Sequence, residues 1–111
     1  MESDFCVILV TAPDREVAGA IGRALVEASL VACATLLPGA TSIYRWENTV
    51  HEDTEVQMIL KATRGKFDDI VSKIRGIHPY DVPEIIMLPI TGATASYLAW
   101  IDEVAGEDAG G

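Results

Sequence analysis

Cysteine is scarce in this chain and poorly placed for joint chemistry. Cys6 and Cys33 are its only two. Each sits in an apolar stretch and neither belongs to a Cys-x-x-Cys pair, which argues against a disulfide framework or a thiolate zinc site. The expectation is two buried thiols that behave as small hydrophobes. Basic side chains are also few: 8 Lys and Arg stand against 17 Asp and Glu, for a formal net charge of -9. That balance repels polyanions, so neither nucleic acid nor an anionic membrane surface is an expected partner. No apolar run approaches the roughly 20 residues that cross a bilayer, and Met1, Glu2, Ser3 and Asp4 supply no basic lead into a signal-type apolar core. The expected setting is the cytoplasm.

What is present is apolar content, 50% of 111 residues, enough for one domain with a core of its own and too little for two. Residues 5–10 form a continuous apolar run rich in β-branched side chains, which reads as a central strand buried on both faces. Val17, Ile21, Ala24, Leu25 and Ala28 then recur at helical spacing behind a Pro13-Asp14 start. Residues 30–37 and 41–46 read as one long strand kinked at Pro38-Gly39. After an acidic stretch over 47–53, Val56, Met58, Leu60 and Ala62 alternate with polar positions, so the second and third strands form a hairpin whose tip projects. Tyr44 and Trp46 on that ribbon call for a partner, because long apolar edges otherwise aggregate.

Phe67, Ile70, Val71 and Ile74 give a second amphipathic helix that the His78-Pro79 step ends. Residues 85–90 form a fourth strand placed at an edge by Pro89. Tyr97, Leu98, Trp100, Ile101 and Val104 make a short terminal helix. The ordered domain is expected over about 5–104 of 1–111, with a glycine-rich tail, 105–111, that frays. The order β-α-β-β-α-β is the ferredoxin-like α+β arrangement, an antiparallel sheet with both crossover helices on one face. The other face is then open, and closed cyclic association would cover it and the strand edges.

The stretch 77–85 packs His78, Tyr80, Asp81 and Glu84 between two prolines, the densest chemistry in the chain. Together with Thr11-Ala12-Pro13-Asp14, residues 32–39, 41–47 and Tyr97-Leu98-Ala99-Trp100, the block 78–84 resembles the CutA divalent-ion tolerance proteins, over about 5–104. The resemblance implies a homotrimer whose hairpin strands pair across subunits, a cytoplasmic location in bacteria, and binding of copper and other divalent cations. It also implies an architecture similar to the PII signalling trimers, so a module that binds a small metabolite or partner protein is the alternative. The family's copper ligands are a cysteine ahead of the Thr-Ala-Pro-Asp segment, here Val10, and two adjacent histidines, here Ile77 and His78. His78 is thus the one metal-ligand candidate the resemblance leaves.

His78 is suited to a borderline divalent ion, with Asp81 or Glu84 as oxygen ligands. The competing reading is a histidine that ends a helix and bonds a backbone carbonyl, and it weighs more because a tight site wants about three or four protein ligands. His51, beside Glu52, Asp53 and Glu55 in the acidic tip, reads first as turn chemistry and second as a weak cation contact. Acid-base work by His78 with Tyr80, Asp81 or Glu84 lacks any accompanying nucleophile or phosphate loop, so no enzyme activity is expected.

Overall fold

A computed structural model describes residues 4–109. Its elements run β1 (Phe5–Ala12), α1 (Arg15–Glu27), β2 (Cys33–Trp46), β3 (Thr49–Thr63), α2 (Phe67–Arg75), β4 (Ile85–Pro89) and α3 (Ala95–Ala105), with a 3-10 turn, Arg64–Lys66, before α2. The four strands form one antiparallel sheet in the order β2-β3-β1-β4, the ferredoxin-like arrangement. Asp14 caps α1 by accepting from the Val17 N–H at 2.8 Å, satisfying one of the amide donors a helix start leaves over.

One face of the sheet carries the core. Ile8, Val10, Met58 and Leu60 from the central strands meet Ile21 and Leu25 of α1 and Ile70 and Ile74 of α2, all fully buried. Gly22 lets α1 come close, since a Cβ there would lie 3.1 Å from the Cβ of Ala34. β1 alternates buried and half-buried positions, so the expectation of burial on both faces is corrected: within one chain its second face is only half covered. Part of that cover is α3. Ala62 points into the helix-covered core, so Thr63 points the other way, where its hydroxyl bonds the Ala105 carbonyl at 3.4 Å. Ile101 of α3 is fully buried outside the main core. The second face is therefore partly closed by the terminal helix.

The described part of the tail has partners. Ala105 and Gly106 are buried, Ala109 donates to the Gly106 carbonyl at 3.0 Å, and Lys66 Nζ holds the Ala109 carbonyl at 3.3 Å. These contacts tie the described part of the tail to α3 and to Lys66; residues 110–111, the end of the stretch over which fraying is expected, lie outside the described residues, as do 1–3, on which part of the localisation argument rests.

Beyond Val56, the last β3 residue paired with β1, the hairpin is a ribbon of two strands only. It gives the molecule its longest dimension, 44 × 27 × 22 Å, and leaves Ile43 67% and Val50 60% exposed. A register shift between Leu37 and Ala40, with Gly39 at φ 83, supplies the kink. The tip is tighter than the acidic composition suggests. Glu47 and Asn48, at φ 50 and φ 64, make the whole turn, the two positive values a two-residue hairpin of this hand requires. An Asn48→Gly variant is expected to gain about 0.5–1 kcal/mol in a denaturant melt, because glycine accepts that conformation without the Cβ penalty. A loss instead would mean that the Asn48 side chain holds the turn.

Candidate functional site

Where β1 ends, α2 ends and the ribbon leaves the body, three elements converge on the 78–84 corner. His78 closes α2, its N–H donating to the Ile74 carbonyl at 2.8 Å. The residue is 7% exposed and both ring nitrogens are engaged. The Tyr80 N–H donates to Nδ1 at 3.2 Å, so the lone pair lies there. Nε2 then carries the hydrogen and donates to the Thr11 carbonyl at 2.7 Å. The network thus assigns a neutral imidazole in its Nε2–H tautomer. It clasps the end of β1 to the corner.

Tyr80 turns over this ring, centroids 4.7 Å apart, and its hydroxyl donates to Glu55 Oε2 at 2.9 Å. Glu55 is only 7% exposed, and the phenol gives its carboxylate the partner that a buried charge needs. Burial, and then the carboxylate that accepts its proton, push the Tyr80 phenol up to about 12. Further out, the Tyr44 hydroxyl donates to Asp53, which raises the Tyr44 pKa as well, with smaller contributions from burial and Glu55. The sign for Tyr80 is that of a raised pKa: its contribution is complete below pH 10, the ordinary tyrosine value, and is lost as pH climbs through about 12. Spectrophotometric titration should show a phenolate transition near 12 that Tyr80→Phe deletes. Loss of a transition near 10 instead would remove the bond to Glu55 from this account.

Between corner and ribbon lies a cleft of about 420 Å³. Ser42, Tyr44 and Trp46 line it from β2, Glu55 from β3, and Asp81 and Glu84 from the corner. Among the described residues its lining includes three carboxylates and no basic side chain. The structure thus unites the sequence candidates His78, Tyr80, Asp81 and Glu84 in one corner, but directs His78 to backbone partners instead of toward the carboxylates. His51 is not in a loop: it stands on β3 opposite Tyr44, the rings stacked at 5.4 Å. Glu55 was missed as a site residue. Its signal was there, because odd positions from Glu55 onward share the face away from the helix core, yet a charge at the ribbon's root reads as solvated until Tyr80 is seen to reach it.

As a metal centre within one chain the corner does not fit. Both His78 nitrogens are occupied. Val10 is fully buried in the core, and Ile77 offers only hydrocarbon. Among the described residues no group of three or more His, Cys, Asp or Glu is placed to hold an ion, and no helix is long and apolar enough to cross a membrane.

Residues 6–104 match the family model of the CutA1 divalent ion tolerance protein. A divalent-cation tolerance protein CutA from Thermus thermophilus is 45% identical over 100 residues, 90% of this chain and 97% of that one. The crystal structure of CutA1 from the psychrotrophic bacterium Shewanella sp. SIB1 superposes with a TM-score of 0.89 at 37% identity, covering 92% of this chain and 95% of the other. A protein described as the periplasmic divalent cation tolerance protein CutA from Archaeoglobus fulgidus also gives 0.89, at 34% identity over 91% and 98% of the two chains. With the fold, the corner and the ribbon matched over nearly its whole length, the chain belongs to the CutA1 divalent ion tolerance protein family.

Proposed function

We propose that this protein acts in metal-ion tolerance by binding divalent cations, copper first, as a cytoplasmic homotrimer without catalysis. The observation that carries the reading is the collection of Glu55, Asp81 and Glu84 in one cleft free of basic side chains, in a chain of this family with net charge -9. Carboxylate oxygens suit divalent cations, and copper also accepts imidazole. One chain supplies too few converging donors among its described residues, so the ligand set is completed across copies. A cyclic trimer supplies such copies, because symmetry brings equivalent groups together. It also gives Ile43 and Val50, on the ribbon face away from Tyr44 and Trp46, and the apolar side chains Ile86 and Leu88 of edge strand β4 something to bury against. His78 contributes as the residue that holds the corner, and becomes a direct ligand only by releasing the Tyr80 N–H or the Thr11 carbonyl. Calorimetric titration with Cu(I) and Cu(II) tests the proposal, with heat expected on the wild-type protein; no heat with either removes copper.

A second reading is favoured by the cleft itself. An aromatic-walled space of about 420 Å³ is within the size range of small-molecule sites, as expected of a PII-like trimer that responds to a metabolite. Stabilisation against heat by such a compound is its signature, since binding to the folded state alone raises apparent stability.

A further inference from the structure

We propose that the cleft binds a linear aliphatic polyamine. The proposal rests on the second reading above and names its ligand class. Ser42, Tyr44 and Trp46 occupy every second position of β2 and all line the cleft, so they share one face. At about 3.4 Å per strand residue they lay a floor about 13 Å long. Glu55 lies toward its inner end, opposite Ala40 in the ladder, whereas Trp46 lies at the outer end, 49% exposed. The facing wall is the corner, where Val82 adds hydrocarbon to the carboxylates of Asp81 and Glu84 and the ring of Tyr80.

Each feature selects against another ligand class. Three carboxylates without a basic partner repel nucleotides and other anions. A bare metal ion wants several donors converging on one point, which the described residues of one chain alone do not provide. An elongated cation needs neither. Its ammonium groups meet carboxylates and the faces of Trp46 and Tyr44, which attract cations through the ring quadrupole, while its methylenes lie along Val82 and the rings. Tyr80 and Tyr44 keep Glu55 and Asp53 oriented through their hydroxyl bonds. Glu55 still has an oxygen without a hydrogen bond to a described residue: Tyr80 occupies Oε2, and no buried side-chain oxygen or nitrogen among the described residues lacks a partner, so Oε1 is open to solvent.

The test uses the assembled protein carrying Trp100→Phe, which leaves Trp46 as the only tryptophan. Spermidine, tetramethylammonium, sodium and citrate are titrated at constant ionic strength while tryptophan emission is followed. Spermidine is expected to change Trp46 emission saturably, tetramethylammonium more weakly, and Glu55→Gln to weaken spermidine by about tenfold, the cost of one close charge pair. An absent spermidine response, a response that sodium reproduces, or one that Glu55→Gln leaves unchanged overturns the proposal. A response to citrate alone overturns the polyamine assignment and leaves the small-metabolite reading standing. Silence with every compound, as when a neighbouring copy seals the cleft, overturns both and leaves the metal reading to its own titration.

Discussion

Leu60→Ala is expected to cost about 2–5 kcal/mol in a denaturant melt, the range for emptying a fully buried leucine site. Leu60 is 0% exposed and sits on β3 between Ile8 of β1 and Ala34 of β2 in the ladder, beneath the helices. The loss is lost transfer energy plus the cavity that a rigid three-element junction does not close. Set against a typical stability of about 5–15 kcal/mol for a whole domain, one such change is a large fraction. The midpoint should move with little change in the denaturant slope. A loss below about 1 kcal/mol would mean that the site collapses and that the helices are not held at Leu60.

His78→Ala is the second large effect, and it should appear in protein stripped of metal by a chelator. The substitution leaves the Thr11 carbonyl and the Tyr80 N–H without their partner, in a nearly buried place, at about 1–3 kcal/mol for each group water does not reach. A loss of about 2–6 kcal/mol is therefore expected before any ion is added. The same replacement at His51, stacked on exposed Tyr44 of the ribbon, should cost less than about 1 kcal/mol. Were His78 chiefly a metal ligand, its removal would leave the metal-free protein nearly unchanged and penalise only the loaded form.

Most elements were legible in the sequence because each periodicity had one physical meaning. Val56, Met58, Leu60 and Ala62 alternate and form the buried face of β3; Ile70 and Ile74 repeat at helical spacing and are the buried pair of α2. Pro89 lacks an N–H and lies at the end of an edge strand, as its chemistry requires. The errors are equally physical. The run 5–10 suggested burial on both faces because composition records every surface a side chain will meet, including those that one chain leaves half open. The tight Glu47-Asn48 turn was hidden because glutamate seldom takes positive φ.

The corner was only half legible. Two prolines predicted stiffness, and the block around them carried the family resemblance. The partners of His78 come from residues 67 positions before and 2 positions after it, and the nearer is a backbone amide that no side-chain motif reveals. Tyr80 likewise finds Glu55, 25 positions away. The favoured reading, a helix-ending histidine bonded to a backbone carbonyl, names the kind of partner; which carbonyl it is, Thr11, is invisible to sequence pattern because the acceptor lies far away in the chain.

The central claim is that cation binding belongs to the acidic cleft of an assembled protein, with His78 as its clasp. The most direct measurement is calorimetric titration of Cu(II), with light scattering on the same samples, for the wild type, His78→Ala and a Glu55→Gln/Glu84→Gln double variant. The account predicts a trimer mass, heat on the wild type, less than about a tenfold loss for His78→Ala, and no measurable heat for the double variant. A monomer, or undiminished heat when both carboxylates are gone, would contradict it.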